Sequence, residues 1–213
     1  MKPLIITGTD TGIGKTVVSA MLTLALDAVY WKPIQAGTDG GTDTLRVKQL
    51  TGLPTQHFRA ERHILRQPLS PHRAAELDDV AISFDDLRLP DVPPGRHLII
   101  EGAGGVLVPV NRRLLQIEIF ARWQAPVVLC ARTSLGTINH SLLSLEALRQ
   151  RGIEVLGVVF VGDAMPDSER TIVEFGATRR LGRLPFLAEL NANALNAEFA
   201  AHFDRRDFET ADG

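Results

Sequence analysis

The chain has 213 residues, 45% of them apolar and 23% charged, with 23 Lys plus Arg against 25 Asp plus Glu for a formal net charge of -2. This is ordinary globular usage and excludes a disordered or fibrous chain; the charge balance argues against a sequence-independent nucleic-acid binder, which needs a basic stripe to displace counterions, and leaves room for one local cationic pocket. A single cysteine, Cys130, leaves no intrachain disulfide and no thiolate zinc cage, and no apolar run reaches the roughly 18 residues of a membrane span.

Strand-like sequence begins within the first few residues, without a basic region and signal-peptide core ahead of it. The expectation is therefore a soluble protein of a reducing compartment, folded as one domain over residues 1–213. Residues 3–7 read as the first strand and 8–16 as a Gly/Thr-rich turn. Residues 15–28 then read as a helix that is apolar nearly all round, as a helix sandwiched between layers is. Further strands are predicted at 28–33, 97–101, 125–131 and 155–161, and helices at 114–124, 138–151 and 167–181, with another helical pattern from Thr44. The strands are almost continuously apolar, which fits parallel strands covered on both faces. Their alternation with helices predicts an α/β fold: a doubly wound, mostly parallel sheet with helices on both faces.

Cys130 closes the run Val127-Val128-Leu129-Cys130 and reads as a small buried hydrophobe. Residues 53–95 carry many of the prolines and no strong period, and read as an excursion with short helices. The histidines there, His57, His63 and His72, match no ligand spacing and are expected to face solvent or cap helices. The polar tail, 204–213, is expected to fray.

In doubly wound sheets ligands bind beyond the carboxyl ends of the strands, and in this chain each polar motif directly follows an apolar run. Gly8-Thr9-Asp10-Thr11-Gly12-Ile13-Gly14-Lys15-Thr16 lies between a strand and a helix. Its glycines let backbone N–H groups turn inward, the helix start adds a positive dipole end, Lys15 supplies a mobile charge for β/γ-phosphates and Thr16 a hydroxyl for Mg²⁺. The strict Walker A spacing fails, because its first glycine would fall at Thr9; the interval from Gly8 to Gly14 is one residue longer.

Lys32 ends the second strand and should emerge at the ligand edge, although a lysine there also commonly snorkels to solvent. Asp43 stands near a helix start, where capping is an alternative to metal binding. Glu101 tips a buried strand before Gly102-Ala103-Gly104-Gly105, the position of a metal-organising acid opposite a phosphate loop. Thr16, Asp43 and Glu101 together would give Mg²⁺ a hard oxygen shell completed by phosphate and water. Gly136-Thr137-Ile138-Asn139-His140 opens another helix; its free N–H groups suit an anion, and pattern alone equally admits a plain helix start.

In this order and with these gaps, the loop at residues 8–16, Lys32-Pro33 with Gly37, Asp43, Pro68-Leu69-Ser70-Pro71-His72, the Glu101 segment and the Gly136 segment resemble the dethiobiotin synthetase family of the P-loop NTPase superfamily. The resemblance implies an ATP- and Mg²⁺-dependent cyclo-ligase of biotin biosynthesis. Such an enzyme converts 7,8-diaminononanoate, CO₂ and ATP to dethiobiotin, ADP and phosphate, through a carbamate that takes the γ-phosphoryl group. It assigns catalysis to Lys32, Lys15 and Thr11. It places the nucleotide against Gly12, Ile13, Gly14, Lys15, Thr16, Val17, Asp43, Glu101, Gly102, Ala103 and Gly104, with Gly162, Pro185, Phe186 and Leu187 near the base. It places the diamine against Ala36, Pro71, Gly136, Thr137 and Asn139, and the metal on Thr16, Asp43 and Glu101. It further implies a cytoplasmic homodimer with the substrate at the subunit interface, and no nucleic acid or membrane as partner. Gly12 replaces a frequent acidic residue of the family, Ala36 a frequent Ser or Thr, and Gly162-Asp163 a base-reading Asn. A partitioning ATPase of the deviant Walker type would carry an early loop lysine where this chain has Asp10.

Overall fold

The computed structural model describes residues 3–209. In chain order its strands are β1 (Leu4–Gly8), β2 (Val29–Trp31), β3 (Ile34–Ala36), β4 (Phe58–Arg59), β5 (His63–Leu65), β6 (Leu98–Gly105), β7 (Pro109–Asn111), β8 (Leu114–Leu115), β9 (Val127–Arg132), β10 (Val155–Val161) and β11 (Arg180–Leu184). The helices are α1 (Lys15–Ala25), α2 (Asp43–Thr51), α3 (Pro71–Leu77), α4 (Gln116–Trp123), α5 (Thr137–Arg149), α6 (Pro166–Phe175) and α7 (Ala192–His202).

Seven strands form one sheet in the order β11-β10-β9-β1-β6-β2-β4, and every pairing in it is parallel. Side chains alternate across a strand, and here both faces are apolar. Leu4 and Ile6 join the cluster of α1, α2 and α7 through Val18, Met21, Val47 and Leu195. Ile5 joins the opposite cluster, which takes Ala74 of α3, Phe120 of α4, Leu145 of α5 and Ile172 of α6. Covering both faces explains the near-continuous apolar runs, and the doubly wound α/β expectation holds. No helix among the described residues is long and apolar enough to cross a membrane.

The differences from the sequence reading lie at the edges. The helix expected to run to residue 181 ends at Phe175; Ala177 takes a positive φ of 40° and the chain returns as edge strand β11. The excursion at 53–95 contributes the opposite edge strand, β4. His57 is buried rather than solvent-facing, its Nδ1 2.8 Å from the Ala28 carbonyl. The described part of the tail does not fray: Arg205 donates to the Ala25 carbonyl at 2.8 Å, and Phe208 is fully buried beside Phe199 and Phe203. Residues 210–213 of that expectation lie outside the described residues. Cys130 is buried as expected, and burial pushes its thiol pKa up to about 12.

Candidate active site at the carboxyl edge of the sheet

β1 runs between β6 and β9, so the loop leaving it emerges between the ends of its neighbours. That loop turns through Gly12 (φ 69°) and Gly14 (φ 95°), left-handed conformations that glycine adopts without steric cost. Gly14 has a second constraint, since a Cβ there would lie 2.9 Å from Cγ1 of Val161. No side chain caps α1, so its first N–H groups and positive dipole end remain available to an anion. Lys15 folds back across the loop, its Nζ donating to the Asp10 carbonyl at 2.8 Å. Burial and the nearby Lys32 ammonium lower the pKa of Lys15.

β2 and β6 pair with Trp31 opposite Ile100, which brings the next residues, Lys32 and Glu101, side by side. Lys32 Nζ lies 2.9 Å from Glu101 Oε1 and 2.8 Å from Asp43 Oδ2, and it also donates to the Gly102 carbonyl at 3.2 Å. Thr16 Oγ1 donates to the same Glu101 Oε1 at 2.8 Å, and the Tyr30 hydroxyl donates to Oε2 at 2.9 Å. Burial acts to lower the Lys32 pKa, but Glu101 and Asp43 outweigh it and raise the value. Tyr30 is pushed well above its usual pKa by burial and by Glu101, so its hydroxyl stays a donor. Asp43 escapes the capping role its position suggests. Thr42 caps α2 by accepting from the Leu45 N–H, and Gln35 Oε1 accepts from the Asp43 N–H at 2.9 Å.

Two clefts flank the loop. The first, of about 780 Å³, is lined by Thr11, Gly12, Gly14, Lys15, Thr16 and Val17 of the loop and α1, by Lys32, Ala36, Asp43 and Pro71, and by Glu101, Ala103 and Gly104 of β6. Gly102 lies at the same strand tip, held through its carbonyl by Lys32. The second, of about 520 Å³, shares Gly12, Gly14 and Val17, adds Ile13, and is bounded by Pro185, Phe186 and Leu187. Gly162 sits at its edge, where a Cβ would fall 2.5 Å from Thr133 Oγ1 and 3.4 Å from the Phe186 ring. Gly136, Thr137 and Asn139 stand apart: they open α5 and line neither of these clefts.

Several residues of this site carried no signal in the sequence reading. Tyr30 reads as core, although its position two residues before Lys32 puts it on the same strand face. Gln116 pins the tip of β6, accepting from the Ala103 N–H at 2.6 Å and donating to the Gly105 carbonyl at 3.2 Å. Arg132, at the end of β9, donates to Asp10 Oδ2 at 2.9 Å. Among the described residues no cluster of three His, Cys, Asp or Glu side chains has a metal-holding arrangement. The carboxylates of Asp43 and Glu101 nonetheless converge on the Lys32 ammonium, with the Thr16 hydroxyl on Glu101, and such hard oxygen donors suit Mg²⁺ once phosphate and water complete the shell.

A family described as an AAA domain matches residues 2–194. A protein of Rhodopseudomonas palustris (strain BisB5) named ATP-dependent dethiobiotin synthetase BioD is 58% identical over 206 residues, covering 97% of this chain and 96% of that protein. A protein of the same name from Novosphingobium aromaticivorans is 54% identical over 208 residues, covering 98% of this chain and 100% of its own length. Among solved structures, the cell division ATPase MinD of Pyrococcus furiosus shares the fold at 12% identity and a TM-score of 0.52, over 94% of this chain and 99% of that one. That likeness speaks to fold alone. Matched across nearly its whole length by proteins of one name, the chain belongs to the ATP-dependent dethiobiotin synthetase family.

Proposed function

We propose that this protein, acting as one catalytic domain, is a dethiobiotin synthetase of biotin biosynthesis. It converts 7,8-diaminononanoate, CO₂ and ATP to dethiobiotin, ADP and phosphate. The observation that carries the reading is the convergence of Lys15, at the start of α1, and Lys32, at the end of β2, on one cleft with Thr16, Asp43 and Glu101. One substrate amine attacks CO₂ and loses a proton to form a carbamate. A carbamate oxygen then takes the γ-phosphoryl group, and the second amine closes the ring as phosphate leaves.

The difficult approach is anion to anion. Two unit charges 4 Å apart interact by roughly 4 kcal/mol at an effective dielectric near 20. Lys15 and Lys32 supply fixed positive charge against that repulsion and against the charge developing in transfer. Their field also disfavours the protonated form of an entering amine, which keeps it nucleophilic. Thr16, Asp43 and Glu101 are the residues that would hold Mg²⁺, which when bound neutralises charge on the transferring phosphoryl group. The base takes the second cleft against Phe186, and the diamine takes the first, between Ala36 and Pro71.

The α5 start lies outside both clefts of its own chain, with no side-chain cap on its N–H groups. A homodimer in which Gly136, Thr137 and Asn139 of a second copy receive the substrate carboxylate accommodates that position, and we place the enzyme in the cytoplasm. At the loop position where a partitioning ATPase carries its early lysine, this chain has Asp10, paired with Arg132. The test is ADP release with and without diaminononanoate and bicarbonate, with the product identified by mass. ADP and dethiobiotin should appear together and only when both co-substrates are present; ADP release indifferent to them overturns the reading.

A further inference from the structure

We infer that Tyr30 is a positioning residue of this site, whose hydroxyl fixes the rotation of the Glu101 carboxylate so that Oε1 is the oxygen presented to Thr16 and Lys32. Tyr30 is fully buried, in the apolar cluster that also holds Ile6, Val47 and Ile99. Its ring is held edge-on against Phe58, with centroids 6.4 Å apart. Phenylalanine would fill the same space, and the hydroxyl is tolerated among apolar neighbours because it is bonded. Its acceptor among the described residues is Glu101 Oε2, at 2.9 Å, while Thr16 and Lys32 both occupy Oε1.

The terminal torsion of a glutamate is broad and roughly two-fold. Nothing in the side chain itself therefore selects which oxygen faces the cleft, and the donors around it must do so. Tyr30 is the donor to the oxygen that Thr16 and Lys32 leave. Without its hydroxyl, Oε2 is left in the apolar layer without this partner, and the carboxylate gains by turning both oxygens toward Thr16 and Lys32. The oxygen offered to a metal would then be displaced, with no change in the fold around it.

The inference rests on the proposed role of Glu101 toward Mg²⁺, and the experiment separates the two. ADP affinity is measured by calorimetry on the full chain, in excess Mg²⁺ and in EDTA, for the parent, Tyr30→Phe, Phe58→Leu and Glu101→Gln. In Tyr30→Phe the Mg²⁺ enhancement of ADP affinity should fall by about three- to tenfold, with affinity in EDTA within about twofold of the parent. Phe58→Leu, which loosens the same ring without touching Glu101, should keep the parent's enhancement. A Tyr30→Phe protein that matches the parent overturns the positioning role. So does an equal loss in EDTA, or an equal loss in Phe58→Leu, since either would make Tyr30 a packing residue. If Glu101→Gln retains the full enhancement, the magnesium reading itself fails and the Tyr30 inference falls with it.

Discussion

Lys15, Lys32 and Glu101 on one side of the phosphate loop are 6%, 4% and 1% exposed, whereas Phe186, Leu135 and Met165 on the other are 75%, 106% and 47% exposed. Lys15, Lys32 and Glu101 are thus a buried array within the first cleft, each fixed by a named partner. The second presents apolar surface to water, with Arg132 and Asp163 as its charged lining residues. Buried ion pairs add little net stability, yet removing one member leaves its partner uncompensated and is strongly destabilising. Open apolar walls adapt at small cost. The proposed function assigns chemistry to the buried side and grip on the nucleotide base to the open one.

The contrast breaks most severely at Glu101. Glu101→Ala leaves Lys32 buried with Asp43 as its remaining carboxylate, and should cost about 3–5 kcal/mol of stability in urea unfolding, with loss of turnover. A stability within error of the parent would show that the array is not the rigid element described. Lys15→Ala comes next: ATP affinity should drop by about 10- to 100-fold, the cost of a charged hydrogen-bond partner. Unchanged affinity would refute its phosphate role.

A subtler consequence follows from the lowered pKa of Lys15, set by burial and by Lys32. Between that lowered value and the ordinary 10.5 the unfolded chain binds the extra proton, so Lys15 makes stability rise with pH in this window. A phosphate near Nζ favours the ammonium, so at a pH within this window ADP binding there should take up protons. Calorimetry in two buffers of different ionisation enthalpy reads the uptake, and proton release would contradict it. The smallest effect belongs to the open side: Phe186→Ala should weaken ATP by about five- to tenfold, the worth of one stacked base, with kcat unchanged. A kcat that falls with affinity would extend the rigid chemistry across the loop.

The interior of this fold is legible because burial on both faces writes itself as apolar runs, and the phosphate loop because its turns demand glycine at Gly12 and Gly14. The edge strands are not. β11 carries Arg180 and Arg183, and β4 is two residues ending in Arg59; with one neighbour each, they need no apolar run, and charge on an edge discourages further pairing. Within the site, Lys32, Asp43 and Glu101 stand out as charges at element ends, but their contact comes from strands 69 residues apart in sequence. Tyr30 was invisible for a different reason: as a bulky strand residue it looks like filling, and only the position of its hydroxyl distinguishes it.

The most direct measurement of the account concerns Lys32. With ¹³C-bicarbonate, diaminononanoate and ADP, the parent should hold a carbamate visible as a protein-dependent carbonyl resonance. Lys32→Met should lose that resonance, and lose dethiobiotin formation by about a thousandfold, while it still binds ADP. A Lys32→Met protein that keeps both the resonance and near-parent turnover would contradict a carboxylation site assembled by Lys15 at the start of α1 and Lys32 at the end of β2.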